Sequence, residues 1–255
     1  MKPTGRVTLL GVGIDNLSSD DLGNTIISYI RSGAKAKILN VNIHCMNLAY
    51  QNPWLRTMLN QSEIVFCDGD GVRLGARLQG KTIREKITYN RWIWKLLEIA
   101  EKDQFSVYLI GSQAAVMEKT VEVLRTRFPE IRIAGYRDGF FRNKEDVNHT
   151  LESIRKARPN ILILGMGMPL QEKWILEHDQ NLSYNVVLTG GAVFDYISGH
   201  ASMTPDWAYH LKLEWFYRFL HEPRRLFKRY IIGNPLFLIR ILGEKLGFIR
   251  IENEK

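Results

Sequence analysis

The chain has 255 residues, 45% hydrophobic and 24% charged, a composition that excludes a disordered protein and suffices for one large α/β core or two lobes with a short appendage. Cys45 and Cys67 sit in apolar surroundings without CxxC or Cys/His ligand spacing, so neither a zinc site nor a disulfide framework is indicated, and a reducing cytosol fits. The formal charge of +8 is uneven: Lys212 to Arg250 carries nine Lys/Arg against three Asp/Glu, a local +6, which points to an anionic partner for that stretch alone.

In chain order, short apolar runs rich in β-branched residues occur at 7–14, 37–43, 63–69, 106–111, 131–136, 160–167 and 185–191. Each is followed by a segment of helical period, the pattern of a mostly parallel sheet with helices on both faces. The opening run is too short, and lacks the small-residue site, for a secretory signal. Ser18 or Ser19 followed by Asp20 and Asp21 opens one helix, Pro53 suits the first turn of another, and TVEVLRTRFP closes a third at its proline. No repeat or low-complexity segment interrupts this order.

From Pro205 the pattern becomes aromatic, basic and helical, which divides the chain into an α/β core over 1–204 and an appendage over 205–255. Its longest uncharged run, Tyr230 to Ile239, includes Gly233 and Pro235 and falls far short of the ~20 residues that span a bilayer. Cations interleaved with Trp, Phe and Leu suit a segment lying in the headgroup layer; a helical pair docked on the core is the competing reading.

Five runs end in glycine-bearing turns: Gly69 and Gly71, Gly111, Gly135 and Gly139, Gly165 and Gly167, Gly190 and Gly191. Ligands of open α/β sheets bind beyond the carboxyl ends of the strands, where glycines admit a diphosphate to the backbone, so a nucleotide is the default ligand; steric strand-ending is the plain alternative. Gly11-Val12-Gly13 lacks the third glycine of a dinucleotide fingerprint because position 16 is Asn16, and no GxxxxGK[ST] occurs, which weighs against NAD and P-loop chemistry.

The sharpest constellation is FCDGDG, residues 66–71, where an apolar strand delivers Asp68 into a tight turn. Asp68 reads as a general base, or Asp68 and Asp70 as a DxD pair holding a divalent metal against a sugar diphosphate, or both as carboxylates of an Asx-type turn.

The order NVNIHCMNLAYQNP, CDGDG, YLIGS, GYRDGFF, ILILGMGMPLQEKWI, TGGAVFDYISG and EWFYRFLHEPRRLFKRY, from about Val7 to Tyr230, resembles the WecG/TagA/CpsF glycosyltransferases, which make lipid-linked precursors of bacterial teichoic acids, capsules and exopolysaccharides. The resemblance implies a Rossmann-like transferase, without cofactor or metal, that inverts the anomeric centre of a UDP-sugar. It implies Asp68 as base, Asn40 and Asn42 near the acceptor, Gln171 and Glu172 from the PxQE motif, and Asp195 and Tyr136 near the uracil. Gly111, Gly165, Gly167 and Gly191 fall at the donor-binding turns. Arg218, Arg225 and Arg229 are the cations expected to reach the diphosphate or lipid headgroups. Lys86 stands where relatives commonly have arginine, Arg91 where aspartate is common, and Leu170 where lysine is common, so the sugar specificity of well-known relatives does not carry over with the motif. The implied partners are a UDP-sugar, a polyprenyl-diphosphate-linked glycan and the anionic inner face of the cell membrane, with a homo-oligomer open. A basic nucleic-acid-binding α/β protein is the non-enzymatic alternative, weakened because the strands read as buried on both faces.

Overall fold

The computed structural model describes residues 5–251. It opens with an antiparallel hairpin of β1 (Arg6–Leu9) and β2 (Val12–Asp15). The run at 7–14 is therefore not one strand of the main sheet, as its apolar pattern predicts, but two short ones. Leu10 and Gly11 both take positive φ, 46° and 72°, the backbone a two-residue hairpin turn requires. The hairpin covers an edge of the main sheet: Asp15 accepts from the Val65 amide at 2.7 Å and pairs with Arg6 at 3.0 Å.

Then follow α1 (Ser19–Arg31), β3 (Ala36–Val41), α2 (Ile43–Gln51), α3 (Pro53–Gln61), β4 (Ile64–Cys67), α4 (Asp70–Leu78) and α5 (Tyr89–Lys102). The chain continues through β5 (Ser106–Gly111), α6 (Ala114–Arg127), β6 (Arg132–Arg137), α7 (Lys144–Ala157), β7 (Ile161–Gly165), α8 (Leu170–His178), β8 (Val186–Thr189) and α9 (Val193–Ile197). The helix starts follow local chemistry. Ser18 caps α1 in a reciprocal capping box with Asp21, and Pro53 stands in the first turn of α3.

Six strands form one parallel sheet in the order β4-β3-β8-β7-β5-β6. Side chains alternate between two cores. Ile38, Phe66, Leu109, Ile163 and Leu188 face α1, α5, α6 and α9, whereas Leu39, Val65, Ile110, Leu164 and Val187 face α2, α3 and α8. Helices thus cover both faces of an α/β Rossmann-like fold.

This alternation builds the site. Continuing the first row by one strand period gives Asn40 after Ile38, Asp68 after Phe66, Gly111 after Leu109, Gly165 after Ile163 and Gly190 after Leu188. Apolar residues hold the interior, and at the carboxyl edge the same row becomes polar side chains or glycine.

The C-terminal helices are α10 (Asp206–His210), α11 (Glu214–His221), α12 (Pro223–Phe227) and α13 (Gly233–Lys245), with a π-helical turn at Lys228–Ile232 between the last two. α13 buries Phe237 and Ile241 in the core shared with α2 and α4. Arg240 donates to Asn47 Oδ1 at 2.8 Å, and Asn47 Nδ2 donates to the Gly233 carbonyl at 2.7 Å. A side chain on Gly75 of α4 would meet the Phe237 ring at 2.8 Å, so glycine there allows the two helices to close. No helix among the described residues is long and apolar enough to cross a membrane.

Candidate active site

A cleft of about 1410 Å³ opens at the carboxyl ends of the strands, and a second cavity of about 510 Å³ adjoins it between α4, α11 and α13. Asp68 lines both, as do Asn42, His44, Asn90, Arg218 and Arg229. The Asp68 carboxylate thus stands where the two cavities meet.

Asp68 is held from two sides. Its Oδ2 accepts from Asn40 Nδ2 at 3.0 Å and its Oδ1 from the Tyr89 amide at 3.2 Å. Asn40 is fixed in turn by Thr189, whose hydroxyl donates to Asn40 Oδ1 at 3.2 Å. Three neighbouring strands, β8, β3 and β4, thus supply a linear relay of hydrogen bonds ending on the carboxylate. The Tyr89 amide arrives because Ile87 donates to the Cys67 carbonyl at 2.9 Å, which lays the chain along the end of β4. Burial raises the Asp68 carboxyl above its ordinary value, and the bonds from Tyr89 and Asn40 pull the other way.

Asp70 lives in different chemistry. It begins α4, and its carboxylate accepts from Lys86 Nζ at 2.8 Å; the same ammonium bonds Glu214 at 2.7 Å and stands 4.0 Å from the centre of the Tyr209 ring. An ammonium on Asp70 competes with any divalent cation there, so the donor set at Asp68 and Asp70 does not fit a DxD metal pair. Lys86 lines neither cavity; it fastens α11 to the core.

One wall of the large cleft is glycine-rich. Gly165, Gly167, Gly190 and Gly191 line the large cleft, with Gly167 and Gly191 at positive φ of 83° and 55°. Gly111 lies just behind: a side chain there would strike the Gly165 carbonyl at 2.4 Å. Gln171 is fully buried, and its Oε1 accepts from the amides of Gly167 at 3.2 Å and Gly191 at 3.1 Å, clipping the two loops together. Glu172 is also buried; its Oε1 accepts from Gln171 at 2.8 Å, its Oε2 has no partner among the described residues, and burial raises it to about 7. Both residues stand behind the cleft wall and do not line it. Asp195 does line it and accepts from Ser112 Oγ at 2.7 Å, while Tyr136 lies exposed on edge strand β6 and lines neither cavity.

Of the three candidate arginines Arg218, Arg225 and Arg229, one is paired and two lack an acidic partner among the described residues. Arg225 is paired with Glu222 at 2.7 Å. Arg218 and Arg229 have no acidic partner among the described residues, and the Nε of each is buried without a hydrogen bond. Burial lowers the pKa of Arg229, and burial together with Arg229 lowers His44 to about 4, so the His44 imidazole is neutral at pH 7. Arg218 and Arg229 therefore bring two guanidinium groups without acidic partners to the same cavities as Asp68.

The chain matches the profile described as the Glycosyl transferase WecG/TagA/CpsF family over residues 7–250. It belongs to this family. Three relatives carry the name N-acetylglucosaminyldiphosphoundecaprenol N-acetyl-beta-D-mannosaminyltransferase. The protein of Bacillus subtilis strain 168 is 30% identical over 85% of this chain and 83% of its own. That of Bacillus spizizenii is 28% identical over 84% and 82%, and that of Staphylococcus aureus strain MW2 is 25% identical over 95% and 94%. The chain is therefore a WecG/TagA/CpsF glycosyltransferase.

Tyr89, Thr189 and Ser112 complete the geometry of the site, and the sequence reading missed them. Tyr89 contributes a main-chain amide, which no side-chain motif marks. Ser112 and Thr189 each stand at the end of an apolar strand, one residue after Gly111 and one before Gly190, and that placement is the signal available for them.

Proposed function

We propose that this glycosyltransferase moves an N-acetylhexosamine from a UDP-sugar to a sugar carried on a polyprenyl diphosphate, in one inverting displacement with Asp68 as general base. The observation that carries this reading is the position of the Asp68 carboxylate between two cavities, with Arg218 and Arg229 unpaired beside it.

The nucleotide sugar occupies the large cleft, its diphosphate against the Gly165–Gly167 and Gly190–Gly191 turns. Asp195 and Ser112, hydrogen-bonded to each other in the lining of that cleft, suit a nucleobase. The acceptor hydroxyl approaches from the second cavity, and Asp68 takes its proton as the new bond forms. A raised pKa makes Asp68 a stronger base than a solvated aspartate. The departing UDP develops negative charge on its β-phosphate, and Arg218 and Arg229 neutralise it; a buried guanidinium without a partner is matched to phosphate oxygens. Acceptor chemistry and the β-configured product are drawn from the names of the relatives.

The C-terminal helices support work at a membrane surface, on the cytoplasmic side. Trp207, Leu211, Leu220, Phe227 and Ile232 are more than 45% exposed, among basic residues such as Lys212, Arg224 and Lys228. Such a face suits anionic headgroups over an apolar layer.

Thermal-shift and product assays test the reading together. Stabilisation by UDP but not by NAD or oligonucleotide, followed by transfer from a UDP-N-acetylhexosamine to N-acetylglucosaminyl diphosphoprenol, is the expected result. Stabilisation by NAD or oligonucleotide alone, without transfer, overturns it.

A further inference from the structure

We infer that the smaller cavity receives the diphosphate and the first part of the prenyl chain of the acceptor, with Arg73 and Arg77 of α4 as its diphosphate ligands. This rests on the transfer reading above and assigns the acceptor's anchor to residues that no part of the donor site uses.

The first ground is placement. A single displacement brings its two substrates to opposite sides of one carbon with the base beside the nucleophile. The glycine turns claim the large cleft for the donor, which leaves the second cavity, reached across Asp68, for the acceptor.

The second ground is charge. Arg73 and Arg77 stand one helical turn apart on α4, and both line the smaller cavity but not the large cleft. The Nε of Arg73 is buried without a hydrogen bond, and its acidic neighbour, Asp70, is 3.9 Å away and more closely held by Lys86 at 2.8 Å. Arg77 has no ion pair among the described residues. Two adjacent, under-used guanidinium forks fit the non-bridging oxygens of a diphosphate.

The third ground is the apolar wall beside those cations. Leu74 is 46% exposed and Trp215 39%, and both line the cavity with Leu238. Along α13 and its C-cap, Leu238 is followed at four-residue steps by Leu242 and Leu246, 43% and 66% exposed. At 1.5 Å per residue this stripe runs about 12 Å. A cationic seat beside a leucine stripe is chemistry for the diphosphate ester of a long apolar alcohol; a sugar nucleotide has no use for the stripe.

The test uses the whole chain, with farnesyl diphosphate as probe. It should compete with a prenyl-diphosphate-linked acceptor and not with UDP, while farnesol, inorganic diphosphate and anionic phospholipid vesicles compete far more weakly. Arg73→Gln with Arg77→Gln should raise the acceptor KM about tenfold or more and leave UDP affinity unchanged, which also reports an intact fold. Leu238→Glu, at the apolar wall, should do the same. Wild-type acceptor KM in variants that still bind UDP, or displacement of UDP by farnesyl diphosphate, overturns the inference. If the wild-type protein transfers no sugar to any such acceptor, the proposed function fails; direct binding of farnesyl diphosphate, compared between wild type and the arginine variant, then decides the cavity by itself.

Discussion

Asn40 donates to Asp68 across neighbouring strands, Nδ2 to Oδ2 at 3.0 Å, and Thr189 holds Asn40 from the strand on its other side. The bond favours the ionised carboxylate, whereas burial favours the protonated one. Asn40 therefore tunes the base as well as aiming it.

Removing that bond should move the pH profile. Activity depends on ionised Asp68, so kcat/KM falls as pH drops through its raised pKa. Asn40→Ala removes an influence that lowers this pKa, and the acid limb should shift to higher pH. Thr189→Val, which loosens Asn40 without touching Asp68, should shift it in the same direction by less. A pH–rate series on the three proteins measures both.

The arginines should rank by their partners. Arg218→Gln and Arg229→Gln remove unpaired guanidiniums and should each lower kcat by roughly 10- to 100-fold, in the range of lost transition-state charge stabilisation. Arg225→Gln removes a side chain already engaged by Glu222 and should cost much less. Steady-state kinetics with a water-soluble short-chain acceptor, away from any membrane, reads this ranking directly.

Asp70 separates two mechanisms. A metal-holding pair requires both carboxylates equally, whereas the Lys86 contact makes Asp70 a fastening for α11. Asp70→Asn should lose far less turnover than Asp68→Asn, and EDTA should leave the wild-type rate intact. Equal losses, with a strict need for Mg²⁺ or Mn²⁺, would return the metal-dependent reading.

Glu172 predicts a stability effect remote from chemistry. Its folded value, about 7, exceeds its ordinary 4.5, so the stability it contributes is fully present below about pH 4.5 and is lost as pH rises through 7. The span corresponds to roughly 3 kcal/mol. Glu172→Gln should flatten that slope and raise Tm above pH 7, measured by thermal melts across pH.

Much of this arrangement was legible in the residues. Six of the seven apolar runs are strands of the parallel sheet; five are buried on both faces and read as continuous hydrophobic stretches, and the sixth is the exposed edge strand β6. The seventh turns at Leu10-Gly11, where a non-glycine at positive φ gives no warning in a pattern of alternating apolar residues. Asp68 was visible because an apolar strand running into Asp-Gly leaves a carboxylate at the sheet's edge. Gln171 and Glu172 were visible as a motif but not as a buried clip behind the glycine loops, since spacing along a helix does not say which loop a side chain reaches. The family position of Lys86 suggests a substrate contact, while its ion pairs lie with Asp70 and with Glu214, 128 residues away. Arg73 and Arg77 passed unremarked because their meaning depends on α13, which reaches α4 only through the tertiary fold.

The central claim is that Asp68 takes the acceptor proton. Single-turnover transfer by Asp68→Asn, measured alongside UDP affinity and Tm, addresses it most directly. The predicted result is a rate lower by roughly 100-fold or more, UDP affinity unchanged, and a Tm close to wild type, because the amide removes a buried charge but turns an N–H toward one of the two donors, Asn40 or the Tyr89 amide, that the carboxylate accepts from. A near-normal transfer rate in a protein that binds UDP normally would contradict the account.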